Sequence, residues 1–228
     1  VNSKEPLIIC HEALEVKSTG IVDQRALMRS YIGDFEDSGG MIAFNTTIKS
    51  IHMSGEKFKL TTLDNTEIIA DSVINAAGLE AHNIANLIDG LDQSLIPKIY
   101  YAKGNYFETS KKLGIRHLIY PIPTEASLGL HLGLDLSMQL RFGPDVEWVD
   151  KIDYTVDPSR AKLFHKDIIK YLPQIKLEDL RPGYSGIRPK LKNKGEGKSD
   201  FMIQSNNEHG IKNLINLFGM ESPGLTSS

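Results

Sequence analysis

The most regular stretch of the chain is SLGLHLGLDLSMQLRF, residues 127–142. Leu128, Leu130, Leu132, Leu134, Leu136, Met138, Leu140 and Phe142 form one row. Gly129, His131, Gly133, Asp135, Ser137, Gln139 and Arg141 form the other. Period two marks strands with one buried face. The stretch is long for a single strand, so a hairpin turning near 135–138 is expected, in antiparallel style.

Elsewhere the pattern alternates between helix and strand. Residues 21–40 read as an amphipathic helix with Asp23 as cap, Ala26, Leu27, Ser30, Tyr31 and Asp34 at helical spacing, and Gly39 and Gly40 as the stop. Residues 41–53, 57–63 and 67–78 read as strands, and 79–90 as a short helix closed by Gly90. Residues 157–173 read as a helix with Asp157 at its cap, Pro158 at its first position and Pro173 beyond its end. The Gly-, Pro- and Lys-rich stretch 180–200 reads as a surface loop, and 201–219 as two strands around an Asn/Gly turn. The fold class expected is α/β, turning to α+β in the antiparallel middle.

Composition adds limits. The 228 residues are 40% hydrophobic and 24% charged, with a net charge of −3 and no basic stripe. That is globular composition and argues against a nucleic-acid partner. No apolar run reaches transmembrane length, and the N-terminal stretch lacks the pattern of a signal peptide. Cys10 is the single cysteine, which excludes an internal disulfide and a cysteine metal cluster and points to a reducing, cytoplasmic setting.

Several motifs fall short. GEGKS at 195–199 has Lys192 where a phosphate-binding loop needs glycine, and a solvated basic loop accounts for it. HExxH is absent, as are histidines at metal spacing, so no metal is expected. The dinucleotide fingerprint GxGxxG is also absent.

Five stretches taken together carry a resemblance. STGIVDQRALM (18–28), DSVINAAGLEA (71–81), HLIYPIP (117–123), YSGIRPK (184–190) and NLFGMESPGLTSS (216–228) follow one another in the order and spacing of a known family. The chain resembles FAD-dependent oxidoreductases of the D-amino-acid-oxidase type, most of all their L-2-hydroxyglutarate dehydrogenase-like branch. The resemblance implies a partial FAD-binding, Rossmann-like domain over 18–92, to which 191–228 return. It also implies an antiparallel-sheet substrate domain over 93–190 together with 1–17. The cofactor implied is FAD, and the partner a small carboxylic acid.

Oxidising a 2-hydroxy acid requires a base for the hydroxyl proton and a cation for the carboxylate. By resemblance His131 is the base, since imidazole titrates in the useful range; an exposed strand histidine is the alternative reading. Arg188 is the carboxylate partner, with Gly186 allowing close approach of the backbone. Tyr120, Tyr106 and Lys103 are candidates for a second carboxylate, or ordinary half-buried sheet residues. Arg141 shares the polar row with His131, but the turn between them is expected to separate the two. Ala76, Ala77 and Gly78 end a strand where small residues let the dinucleotide approach. Thr47 and Ile48 match the strand beside the adenine. Gly219, Glu221, Ser222, Gly224, Leu225 and Thr226 match the bend that faces the flavin.

The family begins with a strand, a GxGxxG turn and a helix, and continues past the terminal bend into another helix. This sequence shows neither, so it reads as a portion of such an enzyme. Two classes of function follow. One is a dehydrogenase or oxidase of small 2-hydroxy acids, or of 2-amino acids. The other is a non-catalytic remnant or split-gene subunit needing a separate N-terminal FAD-binding chain.

Overall fold

The computed structural model describes residues 3–122, 129–197 and 199–222. In chain order its elements are α1 (Gln24–Asp37), β1 (Ile48–Ser54), β2 (Lys57–Thr62), β3 (Glu67–Ala70), β4 (Val73–Asn75) and α2 (Ala81–Ala85). Then come β5 (Tyr100–Glu108), β6 (Leu132–Leu134), β7 (Leu140–Phe142), β8 (Glu147–Val149) and α3 (Ala161–Ile168). The chain closes with β9 (Arg181–Lys190), β10 (Met202–Gln204), α4 (Asn206–His209) and β11 (Leu214–Phe218). Helices and antiparallel strand pairs are mixed, and β11 pairs with β4 in parallel.

The chain divides into two compact units. The first comprises 1–41, 103–147 and 153–186; the second comprises 42–102, 148–152 and 187–228. The breaks follow residues 41, 102, 147, 152 and 186, whereas the sequence suggests boundaries at 18–92, 93–190 and 191–228. The stretch from 18 to 41 falls in the first unit.

In the first unit the alternating stretch folds back as expected. Asp135 makes the turn: its Oδ1 accepts from the backbone N–H of Ser137 at 2.8 Å and of Gln139 at 2.9 Å. Met138 takes a positive φ of 62°. The paired partners are Leu132 with Phe142, Gly133 with Arg141, and Leu134 with Leu140. Leu132, Leu134, Leu140 and Phe142 join Phe107, Phe164, Ile168 and Leu172 in the core. Each such side chain contributes roughly 1.5–3 kcal/mol through burial. Leu136 and Met138 leave the apolar row because they occupy the turn, and both are exposed.

α3 supplies the opposite wall of that core through Phe164 and Ile168. Asp157 caps the preceding 3-10 turn, with Pro158 at its first position, as its sequence suggests. α1 is capped by Asp23, whose Oδ1 accepts from the Ala26 N–H at 3.0 Å. None of its residues is fully buried; Leu27 is half-buried and most of the apolar face read from its sequence is exposed.

The second unit holds an antiparallel meander, β1-β2-β3, and a sheet ordered β10-β11-β4. β11 runs parallel to β4, with Leu214, Ile215 and Asn216 beside Val73, Ile74 and Asn75. Ile51, Phe58, Ala81, Ala85, Leu214 and Phe218 form its core. The strand expected over 41–53 is shorter, starting at Ile48, and that over 67–78 is broken after Ala70.

The expectation of a loop over 180–200 needs correction. Residues 181–190 form the ten-residue strand β9 despite Pro182 and Pro189. Proline is tolerated where its missing N–H is not required by the ladder, so its presence does not exclude a strand. Among the described residues of that stretch, those after Lys190 are irregular.

Candidate active site

In the first unit an antiparallel bridge joins Ile119 and Leu132, with hydrogen bonds of 3.0 and 2.9 Å in the two directions. One residue further, Tyr120 therefore stands directly opposite His131. Their rings meet edge to face, with centroids 4.6 Å apart and planes at 77°. Next along, Gly129 has a φ of +79°, and a β-carbon on it would lie 3.1 Å from the Pro121 carbonyl oxygen. Glycine is what allows the two segments to run this close.

On its other side His131 faces Gly143, whose N–H donates to the His131 carbonyl at 2.9 Å. Phe142 pairs with Phe107 of β5, which brings Tyr106 against Gly143. A β-carbon at Gly143 would lie 2.8 Å from the Tyr106 ring. Tyr120, His131, Gly143 and Tyr106 thus make one row across the sheet, on the face away from the buried leucines.

The same hairpin corrects the reading of Arg141. The turn does not part it from His131; the Gly133–Arg141 pairing returns it to the same polar face. Its Nη2 donates to Asp135 Oδ2 at 3.1 Å. Its Nε lies 3.2 Å from Glu108 Oε1, a charge contact without hydrogen-bond alignment. The guanidinium also stands 5.3 Å above the ring of Tyr184. Tyr184 in turn stacks on Tyr106, with centroids 4.5 Å apart and planes 11° from parallel. Sequence reasoning missed Tyr184. The signal was present as the tyrosine opening YSGIRPK, but its partner is far along the chain.

Lys103 is not part of this row. It stands an odd number of residues from Tyr106, which sends its side chain to the other side of β5. There it is buried, and its ammonium donates to the Thr155 carbonyl. Behind the row, the buried Tyr171 hydroxyl donates to the Leu130 carbonyl at 3.1 Å, fixing the backbone just before His131. Burial, together with nearby Asp167, holds the Tyr171 hydroxyl well above the usual phenol range, so it stays a donor.

The second unit holds the other candidates. Arg188 and Lys190 project from the same side of β9 toward Glu221. Lys190 Nζ donates to Glu221 Oε1 at 2.6 Å, and Arg188 Nε is 4.0 Å from Oε2. Gly219 makes the bend before Glu221 with a φ of +71°, and a β-carbon there would meet Leu191 Cγ at 2.8 Å. Ser222 is exposed, and Gly224, Leu225 and Thr226 lie outside the described residues.

Ala76, Ala77 and Gly78 leave the carboxyl end of β4, the two alanines exposed and Gly78 with a φ of +58°. Beneath them, the buried Asn75 amide donates to the Ala81 carbonyl at 2.7 Å and to Asn216 Oδ1 at 3.0 Å. The Asn216 amide nitrogen is buried without a partner. A strand end with small, exposed residues lets a dinucleotide approach the backbone, and that feature is compatible with FAD. Ile48 opens β1, and the Thr47 carbonyl accepts from Leu63 at 2.9 Å. Among the described residues no group of His, Cys, Asp or Glu is placed to hold a metal ion, and no helix is long and apolar enough to cross a membrane.

Comparison with known proteins bears on this arrangement. A family model described as FAD dependent oxidoreductase (DAO) matches residues 1–228. The mitochondrial L-2-hydroxyglutarate dehydrogenase of Arabidopsis thaliana is 36% identical over 98% of this chain and 55% of its own length. The L-2-hydroxyglutarate dehydrogenase of Escherichia coli K12 is 24% identical over 82% of this chain and 53% of its own. The chain thus spans about half the length of the curated relatives it matches. Among solved structures, FAD-bound L-alpha-glycerophosphate oxidase from Mycoplasma pneumoniae aligns with a TM-score of 0.68 at 21% identity, over 84% of this chain and 49% of that one. Glycine oxidase from Bacillus cereus aligns at 0.69 and 17%, over 98% and 57%. These structural likenesses show the fold.

Proposed function

Because the chain belongs to the DAO family of FAD-dependent oxidoreductases, we propose that it contributes to an enzyme passing a hydride from a small 2-hydroxy acid to flavin. The substrate class proposed is that of L-2-hydroxyglutarate, supported by the names of the relatives at 36% and 24% identity. Since the chain spans about half of those relatives, turnover is proposed for the whole protein to which it contributes. In this reading the second unit is the FAD-binding part and the first the substrate part. The setting proposed from the single cysteine is a reducing, cytoplasmic one.

The observation that carries the proposal is the row Tyr120–His131–Gly143–Tyr106. It sets an imidazole between tyrosines on the polar face of a rigid sheet, with a buried apolar layer behind it. His131 takes the proton of the substrate hydroxyl as the C2 hydrogen leaves with its electron pair. The Tyr120 ring packs against the imidazole, and the Gly143 hydrogen bond fixes the His131 backbone. Tyr106, braced by Tyr184, offers a hydroxyl to a polar group of the substrate. In the second unit Arg188 is proposed as a partner for a carboxylate ligand, for which a guanidinium fork is suited. Ala76, Ala77, Gly78 and the bend at Gly219 would hold FAD, which when bound supplies the hydride acceptor.

The test is a visible absorbance spectrum of the purified chain after exhaustive dialysis. A retained flavin band is expected. A colourless protein that also fails to take up added FAD would count against a cofactor-binding role for this chain.

A further inference from the structure

Arg188 as carboxylate partner faces a difficulty: a carboxylate of the chain itself already stands next to it. Glu221 Oε2 is 4.0 Å from Arg188 Nε, buried, and without a hydrogen-bond partner. Nothing in that distance would prevent a small rotation from closing a bidentate pair, which would occupy the fork. What holds Glu221 off is Lys190, two residues from Arg188 on the same side of β9, bonded to Oε1 at 2.6 Å.

We infer that Lys190 is a positioning residue that sequesters Glu221 and so keeps Arg188 available to a carboxylate ligand. The inference rests on the carboxylate role proposed for Arg188. Two cations around one carboxylate leave one net positive charge, which is the condition for attracting an anion. Remove the Lys190 charge and Arg188 and Glu221 neutralise each other. The ligand must then compete with an intramolecular partner already in place. Glutarate, which has no hydroxyl to oxidise, is the suitable probe for this competition.

The experiment is calorimetric titration of glutarate into the full chain and four variants at low ionic strength. Arg188→Met tests the underlying role, and loss of binding is expected; unchanged binding in R188M would remove that role and the inference with it, as would a parent chain that takes no glutarate. Lys190→Met is expected to weaken binding by about tenfold or more, the scale of a lost charge-assisted contact. The double variant K190M/E221Q is expected to return to within about threefold of the parent, since the competing charge is gone. Glu221→Gln alone should bind at least as tightly as the parent, and it keeps the inference testable if K190M fails to fold. Weakened binding in E221Q, or a double variant no better than a folded K190M, would overturn the role given to Lys190. So would a folded K190M with parental affinity.

Discussion

Tyr120 lies directly opposite His131 across an antiparallel bridge, the two rings meeting edge to face at 4.6 Å between centroids. The relationship follows from register, since the bridge between Ile119 and Leu132 fixes which side chains face each other one step along. His131→Ala in the flavin-loaded enzyme should lower turnover by about 10²–10⁴-fold, the usual worth of a positioned proton acceptor, with flavin content unchanged. Steady-state kinetics beside an absorbance measurement of flavin checks this. Parental turnover would remove His131 from the chemistry.

Gly143 separates His131 from Tyr106, and its φ of +135° is disfavoured for other residues. A β-carbon there would lie 2.6 Å from the Asn105 carbonyl oxygen as well as against the Tyr106 ring. Gly143→Ala is expected to destabilise the chain by about 1–3 kcal/mol through strain and overpacking, read from urea unfolding. A stability within about 0.5 kcal/mol of the parent would show that the close approach is not required.

Arg141 is held by Asp135 and by Glu108, and it stands over Tyr184. Gly183 makes room, because a β-carbon there would meet Glu108 Cγ at 2.8 Å. Arg141→Gln should cost about 1 kcal/mol in stability, the sum of a partly exposed ion pair and a cation–π contact. It should also change the tyrosine near-ultraviolet circular dichroism, because the Tyr106–Tyr184 stack loses its cover. Lysine in its place keeps the charge but not the flat guanidinium, so only part of the signal should return.

Asp179 accepts from Lys111 Nζ at 2.7 Å and from the Lys176 N–H at 2.8 Å. The Lys111 hydrogen bond foremost, and that backbone bond next, hold its carboxyl below the ordinary carboxylate range. A lowered folded pKa adds stability that is complete above the unfolded value of about 3.9 and is lost as pH falls through the folded one. Lys111→Met should therefore lose more stability at neutral pH than in strong acid. Denaturant unfolding at both ends of that range checks it, and an equal loss at both would contradict it.

The alternating stretch was legible because period two encodes both the buried face and the register, and Asp135 is a turn residue in its own right. The same logic, carried one step further, would have placed Arg141 on the same face as His131, opposite Gly133, since a hairpin returns both polar rows to one side. β9 was hidden by Pro182 and Pro189, which local rules read as loop although the ladder tolerates them here. Tyr184 was hidden for another reason: its stacking on Tyr106 is a tertiary contact with no local signature. Lys103 looked like a neighbour of Tyr106 in sequence, yet strand geometry sends the two to opposite faces. The strand end at Ala76–Gly78 was visible from its small residues, whereas the Asn75–Asn216 amide pair beneath it depends on the parallel pairing of distant strands.

The most direct test is an anaerobic titration of the flavin-loaded protein with L-2-hydroxyglutarate, followed through the visible flavin band. The band should bleach as hydride reaches the flavin, and the His131→Ala protein should hold flavin yet bleach far more slowly. A band untouched by L-2-hydroxyglutarate and by other small 2-hydroxy acids, but bleached by a 2-amino acid, would contradict the assigned reaction.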